Sequence, residues 1–192
     1  SIGALFLFFT KSNKEKNITV RYVALFTSLV NFFLSIYLWI LFDQSSSEFQ
    51  FVEDRIWIKD LINYKVGIDG ISILFVILTT FITPLCIISV NNSIKDRLRE
   101  FLIAVLIMES FMIGVFCSLD LIVFYLFFEA GLIPMFLIIG IWGGSRRVYS
   151  AFKFFLFTLL GSVLMLVAII SIYWITGTTD VVQLYELGID SK

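Results

Sequence analysis

Residues 101–141, FLIAVLIMESFMIGVFCSLDLIVFYLFFEAGLIPMFLIIGI, contain two apolar runs of membrane-crossing length, each with one glutamate inside it. A hydrocarbon core about 30 Å thick needs roughly 20 helical residues at about 1.5 Å each, so 101–117 and 121–141 each predict a transmembrane helix. The stretch Cys117-Ser118-Leu119-Asp120 holds the only polar break between them, which predicts a helical hairpin with a very short turn. Glu109 lies ten residues before Leu119 and Glu129 ten residues after it. Antiparallel helices sharing that turn place both carboxyls at one depth, about 15 Å from the membrane surface. An ionised carboxylate there costs at least ~2.5–3.5 kcal/mol, so intramembrane acids face a polar interior and mark proton or ion paths. The alternative is a carboxyl hydrogen-bonded to a neighbouring helix as packing glue. Pro134, five residues after Glu129, removes the bond to the Ala130 carbonyl and predicts a bend with a free carbonyl beside the acid; the alternative is an ordinary membrane-helix proline without a role at the acid.

The whole chain fits this reading. Of 192 residues, 59% are hydrophobic and only 15% charged, a composition foreign to soluble domains and expected of an all-α, polytopic membrane protein. The net charge is −1, which suggests neither nucleic acid nor a polybasic membrane-surface role. Histidine is missing altogether, which removes the commonest metal ligand and the usual acid-base group near neutral pH. Glutamate and lysine are left as proton carriers. Cys86 and Cys117 fall within apolar runs and are expected to be small buried residues, not a disulfide or a metal pair. No GxGxxG, Walker or CxxC pattern occurs, so no nucleotide, phosphate or cluster site is predicted.

Taken in order, SIGALFLFF reads as the end of a spanning helix, followed by a positive loop with Lys11, Lys14, Lys16 and Arg21. A second span covers Tyr22–Phe42, so 1–42 holds two helices. From 43 to 67 short alternating patches predict an extramembrane loop, either a small β-ribbon or an interfacial segment with Trp57 and Tyr64 near the headgroups. Asp69 is expected to cap the third span, Ile71–Val90, where Thr79, Thr80 and Thr83 lie beside Pro84 and repair freed backbone groups. Residues 68–176 thus carry helices three to six, the last from Val148 to Ile175, and 177–192 form a tail that leaves the bilayer or lies along it. Lys153 sits about 10 Å nearer the surface than Glu129, where snorkelling and a functional role are both open. Nine basic residues follow spans one, three and five, and four lie on the opposite side, as six alternating spans require.

The segments GIDGIS, MESFMIGVF, SLDLIVFYLFFEAGLIPMFLIIGIWGG, FKFFLFTLLGS and TGTTD, in this order and spacing, resemble subunit 4 of respiratory complex I. That family of antiporter-like membrane subunits of NADH:ubiquinone oxidoreductase is related to Mrp-type sodium/proton antiporters, and the resemblance runs from Phe49 to Asp180. It implies a fourteen-helix fold with two inverted five-helix repeats, of which this chain matches the N-terminal portion. Glu129 matches the family's glutamate on the fifth helix and Glu109 the acid on the fourth, while Lys153 lies where some relatives carry a sixth-helix lysine. The seventh-helix lysine that would pair with Glu129, the later lysines and the final glutamate are not in this sequence. The resemblance also implies a proton-translocating subunit without redox chemistry of its own. NADH, FMN, iron-sulfur clusters and ubiquinone would belong to partner subunits in the membrane arm, including the rest of subunit 4. The implied membrane is the mitochondrial inner membrane, with the bacterial plasma membrane as the alternative. Rival readings are an Mrp-type antiporter subunit and a purely structural membrane-arm subunit.

Overall fold

A computed structural model describes residues 2–9, 17–46, 48–58, 62–90, 94 and 96–187. Its elements are α1 (Ile2–Phe9), α2 (Asn17–Leu41), β1 (Gln50–Ile58), β2 (Ile62–Ile68), α3 (Ser72–Ser89), α4 (Leu98–Cys117), α5 (Leu121–Trp142), α6 (Arg147–Thr176) and α7 (Val181–Glu186). Five of these, α2 to α6, are long and apolar enough to cross a membrane, and the chain is a multi-pass membrane protein. The observed bounds differ from the expected spans by a few residues at most, except that α2 begins five residues earlier, at Asn17. Outside the helices the described chain forms one antiparallel ribbon, β1 against β2, with Asp54 opposite Lys65 and Arg55 opposite Tyr64. A register shift after Gln50 coincides with Phe51 in the left-handed region (φ 54°), the signature of a bulge.

Local hydrogen bonds and backbone geometry set the starts of α3 and α5 and the end of α6. Asp69 and Ser72 form a reciprocal pair at the head of α3: the Asp69 carboxylate accepts the Ser72 N–H at 2.7 Å, and the Ser72 hydroxyl accepts the Asp69 N–H at 2.8 Å. Asp69 lies outside the span. Its partial burial alone would raise its pKa, but bonds from the Ser72 hydroxyl and backbone outweigh this and hold the carboxyl below its ordinary value. Asp120 caps α5, accepting from the Ile122 and Val123 N–H groups at 2.8 and 3.2 Å. Gly177, at φ +76°, ends α6 in the left-handed turn that glycine adopts without strain.

The helices pack in chain order, α2 on α3, α3 on α4, α4 on α5 and α5 on α6, with α1 resting on α2 and α4. One buried cluster joins Leu7 of α1, Ala24 of α2, Ile87 of α3, and Leu98, Leu102 and Leu106 of α4, so α4 is the hub. The contact of α4 with α5 is close because Gly114 lacks a side chain; a Cβ there would lie 2.6 Å from the Phe127 ring. At the other end of this hairpin, the Trp142 indole N–H donates to the Asp96 carbonyl at 3.0 Å and its ring meets Phe101 edge-on. Helix α5 continues through Pro134, which is buried.

The cysteines correct one expectation. Cys86 is exposed on the outer face of α3 and Cys117 is half-buried, both as free thiols. An apolar run in a membrane chain says that a side chain avoids water; it does not say that the side chain is inside the protein, because lipid satisfies it equally well.

Candidate functional site

Glu109 is the most enclosed acid of the described chain, 1% exposed. Its Oε2 accepts a hydrogen bond from the Asn31 side-chain amide of α2 at 3.2 Å. Its Oε1 is buried and has no hydrogen-bond partner among the described residues. A buried polar atom left unmatched costs about 1–3 kcal/mol, so native structures retain few of them.

Glu129 is half-buried on α5 and faces the other way. Its Oε1 accepts from the Ser162 hydroxyl of α6, in a very short bond, and from the Tyr125 hydroxyl one turn earlier on α5 at 3.1 Å. The Ser162 hydroxyl is also 3.0 Å from the Leu159 carbonyl. With one proton to give, it can serve the carboxylate or its own helix, but not both.

Glu109 and Glu129 therefore sit on adjacent helices yet hold partners on opposite flanks, α2 for the first and α6 for the second. No hydrogen bond joins the two carboxyls among the described residues. Lys153 is not part of either group. It is exposed, with its Nζ 6.0 Å from the Tyr149 ring centroid, and nine residues of α6, about 13 Å, separate it from Ser162.

The polar partners carry weak signals in the sequence. Asn31 stands in the middle of the second span, where a side-chain amide is costly, and Ser28 and Ser35 share its helix face at i−3 and i+4. Ser35 crosses to Thr80 of α3 at 2.8 Å. Thr79, Thr80 and Thr83 also bond to carbonyls one turn back, the local repair expected of them. Ser162 is an ordinary helix serine by sequence.

The turn between the two acid-bearing helices is a second polar centre. Ser118 to Asp120 run as an extended piece between β2 and the segment after α6: the Leu119 N–H donates to the Lys65 carbonyl, and the Leu121 N–H to that of Thr179, both at 2.9 Å. The Leu119 carbonyl accepts from the Val181 N–H at 2.9 Å. The Asp120 carboxylate accepts from the Thr179 hydroxyl at 2.6 Å, and Asp180 pairs with Lys65 at 2.6 Å while capping α7. Among the described residues no group of three or more His, Cys, Asp or Glu side chains converges to hold a metal ion.

The family model described as NADH:quinone oxidoreductase/Mrp antiporter, transmembrane, matches residues 118–191. NADH-quinone oxidoreductase subunit M of Rhodobacter capsulatus is 59% identical over 85% of the chain and 32% of its own length. NADH-ubiquinone oxidoreductase chain 4 of Marchantia polymorpha is 48% identical over 93% of the chain and 36% of its own length. The chain is a homologue of chain 4, also called subunit M, of NADH:quinone oxidoreductase. It spans about a third of the length of these relatives. A chain in the structure of respiratory complex I from Thermus thermophilus with bound NADH superposes with a TM-score of 0.78 at 27% identity, over 93% of this chain and 36% of that one. A chain of the archaeal membrane-bound sulfane sulfur reductase shares the fold alone, with a TM-score of 0.81 at 15% identity over 98% of this chain and 38% of that one.

Proposed function

We propose that the chain works as part of a proton-translocating membrane-arm subunit of NADH:quinone oxidoreductase, with Glu129 taking up and releasing protons inside the membrane and Glu109 as a second station. The observation that carries this reading is the placement of Glu129 inside a spanning helix with hydroxyl partners from two helices, Tyr125 and Ser162. A carboxyl that far from water is costly, and a polar setting lowers that cost without freezing the group in one charge state. A cationic partner moved toward Glu129 would favour release, and its withdrawal would favour uptake. Lys153 is a weaker candidate for that cation, since it is exposed and distant from Ser162.

Electrons would travel elsewhere: NADH, FMN, iron-sulfur clusters and ubiquinone would belong to partner subunits, and the coupling to quinone reduction would reach this chain through the membrane arm. The relatives include both bacterial subunit M and chain 4 proteins, and the mitochondrial inner membrane is the location we propose, ahead of the bacterial plasma membrane. The test is Glu129→Gln in the assembled complex. Assembly and NADH oxidation with pumping lost supports the reading, and full pumping overturns it. An Mrp-type cation/proton antiporter is a second reading, because the matching family model covers both groups. Co-purification with flavin and iron-sulfur subunits favours the first, and isolation in a small complex without them the second.

A further inference from the structure

Asn31 lies 78 residues from Glu109 in sequence, yet its amide is the side-chain group that reaches this carboxyl. The hydroxyls nearest along the same face of α2 are committed elsewhere: Ser28 donates to the Leu25 carbonyl at 2.9 Å and Ser35 to the Phe32 carbonyl at 2.7 Å. Glu109 of α4 is thus buried, with one amide partner from α2 and one buried oxygen unmatched by the described chain. A pair that served only to bind two helices would be badly placed here, because among the described residues nothing saturates the second oxygen. A pair that must tolerate gain and loss of a proton needs a different property, a partner able to reverse its role.

An amide has that property. Its NH₂ donates and its carbonyl oxygen accepts, whereas an ammonium only donates. We propose that Asn31 is a positioning residue for Glu109, supplying a hydrogen-bond partner in both charge states of the carboxyl. In the ionised state Asn31 Nδ2–H donates to Oε2, the contact seen at 3.2 Å. On uptake, a proton passes from hydronium to Oε2, an O–H bond forms there as one in hydronium breaks, and neutral water leaves. Half a turn of the amide then presents Oδ1 to accept from the new O–H. No electron is transferred, and release runs the same steps backwards. This proposal rests on the reading that the intramembrane acids exchange protons, and it adds a role for α2 that Glu129 does not share.

The test uses the assembled complex and infrared difference spectroscopy between resting and turning-over enzyme. The Glu109 carboxylic C=O band is the one absent from Glu109→Gln. In Asn31→Leu, which inserts into lipid at least as readily as Asn, this band moves to higher frequency as its hydrogen bond is lost, and pumping per NADH falls with oxidation retained. Asn31→Gln, which keeps an amide, restores both. If Asn31→Leu fails to assemble, Asn31→Ala carries the same two readouts. A Glu109 band unmoved in the leucine or alanine variant, or no Glu109 band in any state, overturns the proposal. If Glu129→Gln still abolishes pumping in that case, only the role of Asn31 has failed.

Discussion

The clasp at the ribbon end and the two acids at mid-helix are both polar centres in an apolar chain, but they satisfy their charges differently. In the clasp every carboxylate has several donors: Asp120 receives two backbone N–H groups and the Thr179 hydroxyl, and Asp180 receives two N–H groups and the Lys65 ammonium. Among the described residues Glu109 has one amide and an unmatched oxygen, and Glu129 has two hydroxyls, one of them shared with the Leu159 carbonyl. Saturated carboxylates hold a fold in one arrangement; sparsely and reversibly partnered ones leave room for a proton to come and go. The lesson is that burial alone does not separate the two roles, since Asp120 and Glu109 are 2% and 1% exposed.

The sharpest way to break this contrast is to disable the clasp. Lys65→Met leaves Asp180 enclosed without its cation and is expected to cost about 3 kcal/mol, read as a lower melting temperature and less assembled complex. Pumping per NADH in whatever assembles should stay normal. A pumping defect in fully assembled Lys65→Met enzyme would erase the distinction. Ser162→Ala acts on the other centre: removing a hydrogen bond to a charged group costs about 1.5–3 kcal/mol of interaction with the carboxylate. The expected result is slower pumping with normal assembly, restored by Ser162→Thr; assembly failure without a pumping defect would move Ser162 into the structural class.

A smaller effect is expected at Asp69. Asp69→Ala removes the cap of α3 and should destabilise by about 1 kcal/mol, measured by thermal unfolding of the purified complex. Because the folded pKa of Asp69 is lowered, its contribution is present in full above the unfolded value of about 3.9 and is lost as pH falls through the still lower folded value. The wild type and Asp69→Ala should therefore differ at neutral pH and converge in strong acid. Lys153→Met should change least, with pumping and stability near wild type, because the side chain is exposed and its ammonium lies 6.0 Å from the Tyr149 ring centroid. A large pumping loss would bring Lys153 into the proton path.

Much of this architecture is legible in the chain. The spans follow from apolar runs whose length matches a bilayer, the ribbon from alternation between Phe49 and Ile58, and the α3 cap from an aspartate three residues before a serine. The equal sequence distance of Glu109 and Glu129 from the turn follows from counting residues on either side of Leu119. What cannot be read is which flank each acid faces, since a helix hydrophobic on all sides has no stripe to orient it. For the same reason Cys86 looked interior and is exposed. The partners Asn31 and Ser162, and the joining of Lys65 and Asp180 across 115 residues, depend on tertiary packing that no local pattern encodes.

Proton pumping and assembly, scored together in vesicles bearing Glu129→Gln or Asp120→Asn, test the division most directly. The account predicts that Glu129→Gln yields a normal amount of NADH-oxidising complex that no longer pumps, and that Asp120→Asn yields less complex whose remaining molecules pump normally. Full pumping by the Glu129→Gln enzyme would contradict it.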